Sequence, residues 1–321
     1  MREALAIFRA LADPTRLRIV ALLRVMELSV GELAQVLGQS QPRVSRHVKI
    51  LADAGLAERR REGSWVFLAL GPGRRTAPVF AAIDAWDDKV STAMSADLAR
   101  LDAVRAERSA AAERYFEGHA AQWDAIRSLH IAEAEVEAAI AGALGTGALG
   151  RLVDVGTGTG RMLELLAPRT DSAIGIDRSP EMLRFARARL AAAGRADPAI
   201  ARAELRQGDM YALPLADGAA DVVVIHLVLH YAQQPAAAVA EAARLLGPGG
   251  RLLIADFAPH DREDLRAEAA HARLGFSDQQ MADWFAAAGL VPRAAQALEG
   301  GALTVKLWLG ERPAESLRKV A

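Results

Sequence analysis

Apolar positions recur with a helical period twice in the first quarter of the chain. The stretch "GELAQVLG", residues 31–38, predicts a helix that ends at Gly38, a residue suited to a left-handed helix end. The stretch "SQPRVSRHVKIL", residues 40–51, predicts a second helix with Ser40 as N-cap and Pro42 in the first turn. The predicted buried positions are Leu33, Val36 and Leu37 in the first helix and Val44, Val48 and Leu51 in the second. Together they predict a helix-turn-helix motif.

The opposite face of the second helix is basic and polar, as a helix that enters the major groove of DNA requires. It carries Ser40, Gln41, Arg43, Ser45, Arg46 and Lys49. His47 either packs against the protein or contacts a phosphate. After Gly55, two β-prone runs flank residues 62–64 and predict a hairpin, or wing. Its first arm presents Arg59, Arg60 and Arg61, which we expect to meet phosphates.

Charge is distributed unevenly along the chain. Residues 1–75 hold 13 basic and 7 acidic side chains, whereas the whole chain has a net charge of −1. A basic first quarter on an acidic body indicates a local nucleic-acid patch, although chance clustering on a solvated face would give the same balance.

Three segments of this region carry a resemblance: "LADPTRLRIVALL", "GELAQVLGQSQPRVSRHVKILADAGL" and the wing. Residues 1 to about 92 resemble the ArsR/SmtB family of winged-helix repressors. The resemblance implies a dimer that binds pseudo-palindromic operator DNA. Metal-sensing members have a cysteine pair in "ELCVC", where this chain has Ser29 and Gly31 in "ELSVGEL". A hydroxyl and a hydrogen cannot replace two thiolates, so we expect no metal at that site.

The middle of the chain separates two domains. The stretch "GPGRRTAP", residues 71–78, predicts a link, and a helical segment follows from Val79 to about Glu117. Its apolar stripe, which either folds back or pairs with a second chain, is formed by Phe80, Ile83, Trp86, Val90 and Met94. We predict a DNA-binding and dimerisation domain over 1–94, a helical linker over 95–112, a second domain over 113–310 and a tail over 311–321.

From Arg151 onward, short apolar runs alternate with helical segments. The predicted strands are "RLVDV", "AIGID", "AELRQG", "DVVVIH" and "RLLIADF". This alternation predicts an α/β doubly wound fold with a parallel sheet, which follows the α+β winged helix-turn-helix as a second domain. Ligands bind such sheets at the carboxyl ends of the strands.

A glycine turn follows the first of these strands, with Gly156, Gly158 and Gly160 in "VDVGTGTGRM". Asp154 lies two residues before the turn and would repel a pyrophosphate but attract an ammonium group. Asp177 ends the second strand, where a carboxylate can accept both ribose hydroxyls. Asp209 ends the third strand and is placed to accept from an adenine amine, with Met210 against the ring. S-adenosylmethionine (SAM) has all three groups.

Four segments of this half carry a second resemblance: "VDVGTGTGRM", "GIDRSPEML", "QGDMYALPLADGAADVVV" and "LLGPGGRLLIADF". Residues 113–310 resemble class I SAM-dependent methyltransferases, and most closely those that methylate ubiquinone and menaquinone precursors. The resemblance implies that Asp154 and the three glycines hold the methionine end, and that Asp177, with Arg178 beside it, holds the ribose. It places His226 beside the sulfonium. Tyr115 and Trp123, near the start of the domain, are expected to close over the cofactor.

Methyl transfer requires a base only if the acceptor loses a proton. The candidate catalytic groups are His230, Tyr231, His260 and His271. The charged stretch 256–277 either covers a substrate or is a solvated helix. Arsenic methyltransferases use cysteines, and this chain has none, so arsenic is not expected as the acceptor. The absence of cysteine also excludes disulfides and thiolate metal sites.

Three interpretations of the whole chain remain open: a repressor that senses SAM or S-adenosylhomocysteine (SAH), a methyltransferase that also regulates transcription, and a methyltransferase whose winged helix serves only dimerisation or docking. We favour a homodimeric regulator that binds operator DNA and carries a SAM-competent methyltransferase domain for an unknown small acceptor. We expect no metal and no membrane span, because no window approaches about 18 uninterrupted apolar residues. A cytoplasmic location is expected.

Overall fold

A computed structural model describes residues 2–62, 65–86, 92–120, 123, 133–293, 295–299 and 302–314. The chain divides into two compact units, Met1–Ala111 and Ala112–Ala321. The division falls inside one helix, so the boundary is not marked by a break in secondary structure. No helix in the described part of the chain is long and apolar enough to cross a membrane.

The first unit is a winged helix with a small antiparallel sheet in the order β1-β3-β2. Its helices are α1 (Arg2–Leu11), α2 (Pro14–Val25), α3 (Val30–Leu37), α4 (Gln41–Asp53), α5 (Gly73–Trp86) and α6 (Thr92–His119), the last of which continues into the second unit. Its strands are β1 (Leu28–Ser29), β2 (Ala57–Glu62) and β3 (Trp65–Leu70). The six positions predicted to be buried on the two motif helices are all in the core, which confirms the helical pattern.

Local sequence signals fix the ends of these helices. Asp13 caps α2 by accepting from the backbone N–H of Arg16 at 3.0 Å. Ser29 and Glu32 form a reciprocal capping box at the start of α3, which ends at the left-handed Gly38 with φ +64°. Ser40 occupies the N-cap position of α4, but its side chain makes no capping hydrogen bond.

The predicted link over 71–78 is wrong, because α5 begins at Gly73 and continues through Pro78. A proline inside a helix costs one backbone hydrogen bond, and packing of Phe80 in the core offsets that loss. The tip of the hairpin, residues 63–64, and Val90 of the predicted stripe lie outside the described residues.

The second unit contains a single mixed sheet with helices on both faces. Its helices are α7 (Glu133–Ala143), α8 (Arg161–Leu166), α9 (Pro180–Ala193), α10 (Pro198–Ala201), α11 (Pro235–Arg244), α12 (Asp264–Glu268) and α13 (Asp278–Ala287), with 3₁₀ turns at Ala167–Arg169 and Leu229–Tyr231. Its strands are β4 (Arg151–Val155), β5 (Ser172–Asp177), β6 (Glu204–Gln207), β7 (Ala220–His226), β8 (Leu246–Phe257), β9 (Val291–Pro292), β10 (Gln296–Leu298) and β11 (Val305–Glu311).

The strand order is β10-β11-β8-β7-β4-β5-β6, and β9 pairs with β11. The five strands from β4 to β8 are parallel, which confirms the doubly wound core. The predicted parallel sheet does not extend to one edge, because β11 lies antiparallel to β8 with Leu309 opposite Leu253. Successive residues along β4 and β7 enter cores on opposite faces of the sheet, so both faces are covered. The chain order reverses between β4 and β7, and this switch point is where a ligand is expected.

Candidate DNA-binding face and cofactor pocket

The exposed face of α4 carries the side chains that the sequence assigned to base contacts. Ser40, Gln41, Arg43, Arg46 and Lys49 are exposed, and Ser45 is half-buried. Lys49 forms an exposed ion pair with Asp53 on its own helix, with Nζ and Oδ2 2.9 Å apart. His47 has its Nδ1 3.7 Å from Asp13 Oδ1 and is mostly buried, which favours the packing role over a phosphate contact.

The three wing arginines do not share one environment. Side chains alternate along a strand, so Arg60 lies on the opposite face from Arg59 and Arg61. Arg60 Nη1 donates to Glu27 Oε1 at 2.5 Å, and both side chains are largely buried. Arg59 and Arg61 are exposed. Two of the three arginines are therefore presented to solvent, and Arg60 braces the wing against the body of the unit.

The glycine turn between β4 and α8 is a backbone cradle. Gly156, Gly158 and Gly160 have φ of +71°, +53° and +83°. A Cβ on Gly156 would lie 2.5 Å from both γ-carbons of Val228, and one on Gly160 would lie 3.2 Å from Ala186 Cβ. Only glycine fits this turn without strain or a clash. Hydrogen bonds within the domain also fix the turn: the N–H groups of Gly156 and Thr157 donate to the Ile176 carbonyl, and that of Gly160 donates to the Thr157 carbonyl.

Asp154, at the end of β4, lies beneath the turn. It is 1% exposed, and its Oδ2 accepts from the Thr157 hydroxyl at 2.6 Å. This bond fixes the shape of the turn. A ligand ammonium near the turn would meet a buried carboxylate that the Thr157 hydroxyl already holds in place.

Asp177, at the end of β5, holds the turn from the other side. Its Oδ2 accepts from Gly158 N–H and its Oδ1 from Ser179 N–H, each at 2.8 Å. Burial raises the pKa of the Asp177 carboxyl, and these N–H bonds limit the rise. The backbone N–H of Arg178 is a third donor toward the same carboxylate, so about one of its four acceptor sites remains for a ribose hydroxyl. Arg178 has an exposed side chain, and its carbonyl accepts from Gln207 Nε2 at 3.1 Å.

Asp209 follows β6, at the same edge of the sheet. Its Oδ1 accepts from Tyr211 N–H at 3.0 Å, and Met210 beside it is half-buried. The Tyr211 hydroxyl accepts from the backbone N–H groups of Gln233 and Gln234 at 2.8 and 3.1 Å, which ties this loop to the segment after β7. Asp154, Asp177 and Asp209 thus follow three adjacent parallel strands.

An aromatic cluster lies over the glycine turn. Phe116 packs edge-on against Trp123 and Tyr231, with ring centroids 5.3 and 4.7 Å apart. The indole Nε1 of Trp123 is 3.6 Å from the position of a Cβ on Gly158. Tyr115 packs against the same cluster and stacks on His119 at 4.3 Å. The sequence singled out Tyr115 and Trp123 but not Phe116 and His119, although both pack against Tyr115 in the same segment.

The four candidate catalytic groups come together. The ring centroid of His230 is 4.1 Å from Tyr231 and 4.3 Å from His271, and His271 is 6.5 Å from His260. Burial, followed by the charges of Tyr115 and Asp256, raises the pKa of Tyr231 well above 10. Burial lowers the pKa of His260 to about 4. His226, at the end of β7, is 8% exposed.

Asp256 is the main residue of this cluster that the sequence analysis missed. It ends β8, is fully buried, and its Oδ1 lies 2.8 Å from His230 Nδ1. The signal was available, because an acidic residue at the carboxyl end of a parallel strand had already singled out Asp154, Asp177 and Asp209. Among the described residues, no group of three or more histidine, aspartate or glutamate side chains is arranged to hold a metal ion.

Comparison with family models assigns each unit separately. Residues 13–59 match the model of the arsR family of bacterial regulatory proteins, and residues 153–254 match a methyltransferase domain model. The arsenical resistance operon repressor of Escherichia coli is 48% identical over 67 residues, which are 21% of this chain and 57% of the repressor. The demethylmenaquinone methyltransferase of Thermus thermophilus is 35% identical over 111 residues, which are 34% of this chain and 48% of that enzyme.

The chain spans about half the length of the curated relatives it matches. Solved structures share the fold of the second unit. A chain from the complex of the Haloferax volcanii Trm112 activator with a methyltransferase has a TM-score of 0.51 and 23% identity, and covers 62% of this chain and 97% of its own length. A SAM-dependent methyltransferase from Thermotoga maritima has a TM-score of 0.50 and 22% identity, and covers 62% and 99%.

Proposed function

We propose that this chain, which joins an arsR-type regulatory domain to a methyltransferase domain, is a DNA-binding regulator whose second unit binds SAM or SAH and methylates a small molecule. The observation that carries the proposal is the row of carboxylates at the ends of β4, β5 and β6 beside a turn of three glycines with positive φ. Asp154 serves the ammonium, Asp177 the ribose hydroxyls and Asp209 the adenine amine. Asp154 beside the turn would repel a nucleotide phosphate, which supports a ligand with a positive charge at that point.

Several other residues complete the cofactor pocket in this proposal. Arg178 and Met210 flank the ribose and adenine sites, His226 stands at the sulfonium, and Tyr115 belongs to the aromatic cluster that covers the turn. SAM supplies an already activated methyl group, so the protein has to bind it, align an acceptor and exclude water. Two of the relatives are named for small quinone-type acceptors, and a small acceptor is therefore proposed here.

The first unit is proposed to bind operator DNA as a homodimer. Arg43 and Arg46 stand on the exposed face of α4, and Arg59 and Arg61 on the wing. An apolar groove of about 1480 Å³ lies between α1, α2, α5 and α6, and its exposed side chains include Phe8, which is 61% exposed. A large apolar side chain in such a groove is suited to burial against a second copy.

Calorimetric titration of the full chain with SAM and with SAH tests the cofactor assignment. Operator binding is then measured by fluorescence anisotropy on DNA selected from a random pool, with each ligand present or absent. A regulator requires that the ligand bind the DNA-bound and free forms with different affinity. If both ligands bind and neither changes operator affinity, sensing is refuted and the methyltransferase interpretation stands alone.

The alternative function is a small-molecule methyltransferase whose winged helix serves only dimerisation or docking. Arg46→Ala separates the two, because a base contact is worth about 1–3 kcal/mol, or roughly 5- to 150-fold in operator affinity. Arg59→Ala should instead weaken binding to all DNA sequences about equally, and it should reduce the slope of log K against log salt concentration by about one. Arg187→Ala, an exposed arginine of the second unit, makes the same charge change and is the control. Absence of any DNA binding by the wild-type chain would favour the alternative.

A further inference from the structure

We propose that helix α6 couples the cofactor pocket to the DNA-binding motif, because one uninterrupted helix supports α3 near its start and covers the glycine turn near its end. The inference rests on the proposed function for its two ligands, SAH and operator DNA. It adds the part of the fold through which occupancy of one site changes affinity at the other. Two features of this one helix carry it: the buried Asp97 network and the aromatic contacts of Phe116.

In the first unit, charged side chains fasten α6 to the helix-turn-helix motif. Asp97 is fully buried and accepts from Arg18, on α2, at 2.5 and 2.6 Å. The same carboxylate accepts from Arg100 at 2.6 Å, and Arg100 also donates to the backbone carbonyl of Val36. Val36 lies in the last turn of α3, where carbonyls have no intrahelical partner. The network therefore joins α6 to the end of the helix that precedes α4.

The same stretch of α6 belongs to the core beneath the recognition helix. Leu101 is fully buried and Val104 is 5% exposed. Both lie in one hydrophobic cluster with Val44 and Val48, the inward positions of α4. A protein core is packed about as densely as an organic crystal, so it has no empty space to absorb a shift of α6. A displacement of α6 therefore requires α3 and α4 to adjust.

In the second unit, the end of α6 belongs to the aromatic cluster over the glycine turn. Phe116 contacts Trp123 and Tyr231 edge-on, with ring centroids 5.3 and 4.7 Å apart. Met182, at the start of α9, is buried in the same cluster. The indole of Trp123 lies 3.6 Å from the place that a Cβ on Gly158 would take. A ligand at the turn meets side chains that α6 positions, which supplies the differential contact that coupling requires.

The stretch of α6 between these two regions is suited to remain helical without packing. Residues 105–114, "RAERSAAAER", contain no large apolar residue, and Ala106 and Glu107 are exposed. Alanine, arginine and glutamate are among the best helix formers. The helix has no proline, and no glycine before Gly118, so it lacks the residues at which helices usually kink. It is therefore stiff enough to carry a displacement along its length.

Continuity of α6 is not needed to build either region. The Asp97 network and the Phe116 contacts would form equally well on two helices joined by a loop. Domains in one chain are commonly joined by flexible segments rich in glycine, proline and polar residues, which allow each domain to move independently. This chain instead has a stiff helix where its two units divide, which favours coupled movement.

The experiment measures operator affinity of the full chain by fluorescence anisotropy, with and without saturating SAH. Two variants carry seven extra residues after Ala110: one insert is seven alanines, and the other is a flexible glycine-serine sequence. Seven residues add about two helical turns, so the alanine insert keeps the phase of the helix. In the wild type, SAH should change operator affinity at least about fivefold. The alanine variant should keep most of that change, and the glycine-serine variant should show less than about a twofold change.

A second pair of variants tests the pocket end of α6 without changing its length. Phe116→Ala removes the ring by which α6 contacts the cluster, so saturating SAH should change its operator affinity less than about twofold. Phe185→Ala removes a ring that packs against the same cluster from α9, and it should keep the wild-type response. Calorimetry should show the reciprocal effect, because operator DNA must change SAH affinity by the same factor.

SAH and operator titrations done singly show whether both units of each variant are folded, and the Phe116 pair decides the matter if an insertion fails this check. The proposal is overturned if the glycine-serine variant keeps the wild-type response, or if both insertions abolish it. It is also overturned if SAH and operator bind the wild type without affecting each other, in which case the two binding functions stand. If SAH itself does not bind, the proposed function fails separately.

Discussion

Replacing Asp177 with alanine removes the carboxylate that links the glycine turn to the end of β5. Its acceptor sites hold the N–H groups of Gly158 and Ser179 at 2.8 Å and that of Arg178, which leaves about one site for a ribose hydroxyl. A hydrogen bond to a charged group contributes about 1.5–3 kcal/mol when buried. Loss of the ribose bond should therefore weaken binding by about 1.5–3 kcal/mol, or roughly 10- to 150-fold in Kd.

The assay is calorimetric titration of the full chain with SAH, which binds without turnover. Asp177→Asn keeps one acceptor oxygen but turns an amide donor toward a backbone N–H, so its loss should be nearly as large. Asp171→Ala removes an exposed carboxylate just before the same strand and should leave Kd unchanged. Thermal unfolding without ligand shows whether a loss of affinity comes from a loosened fold.

The pH dependence of SAH binding gives a second test of the same carboxylate. Burial raises the pKa of Asp177 above its ordinary value, and ribose hydroxyls form stronger hydrogen bonds with the ionised carboxylate than with the neutral acid. As the pH is lowered, the affinity of the wild-type chain for SAH should therefore begin to fall at a higher pH than it would with an aspartate of ordinary pKa. Asp177→Ala should lack that fall. An SAH affinity within about threefold of wild type for Asp177→Ala would refute the ribose assignment, since a single lost charge-assisted bond exceeds that change.

Three further predictions concern stability. Asp97 is fully buried in α6 and accepts from Arg18 at 2.5 and 2.6 Å and from Arg100 at 2.6 Å. Asp97→Ala should therefore lower the free energy of unfolding in urea by about 3 kcal/mol. A loss no larger than that caused by the exposed Asp84→Ala would contradict this prediction. Burial lowers the pKa of His260 to about 4, so between about pH 6.5 and pH 4 the imidazole is protonated in the unfolded chain but not in the folded chain. The free energy of unfolding should therefore fall as the pH drops from about 6.5 to about 4, and it should fall less steeply in His260→Gln. Gly156→Ala should lower the free energy of unfolding by roughly 1–2 kcal/mol because of its φ and by roughly 1–3 kcal/mol more because of the clash with Val228. Gly145→Ala, with φ +74° and open space around it, should lower it only by the first amount. Equal melting temperatures of the two variants would refute the clash.

Buried parallel strands were predictable because each is a short apolar run between turn signals. The run "RLVDV" coincides with β4, Arg151–Val155. The strand β11 was missed, since Val305–Glu311 becomes a strand only by pairing antiparallel with β8, which is about 50 residues earlier in the chain. Tertiary pairing decides such a segment, and local pattern does not.

In the candidate site, too, local features were predictable from the sequence and tertiary contacts were not. Acidic residues at strand ends were predictable, because the topology alone brings the carboxyl ends of parallel strands to one edge. The partners of those residues were not: Asp154 with Thr157 is a local contact, but Asp256 with His230 joins residues 26 positions apart. Arg60 shows a signal that was present and unused, since alternation along β2 already separated it from Arg59 and Arg61.

The cofactor residues alone do not distinguish a sensor from an enzyme, because both need Asp154, Asp177 and Asp209 to hold the same ligand. His230, a candidate catalytic group held by Asp256, offers a way to distinguish them, since a sensor gains nothing from a proton acceptor. In His230→Phe the backbone N–H groups stay bonded to Asp256, so the fold and SAH binding should survive while transfer is lost. If operator binding by that variant still responds to SAH as in the wild type, regulation acts through occupancy of the pocket; if the response disappears with catalysis, regulation acts through the methylated product.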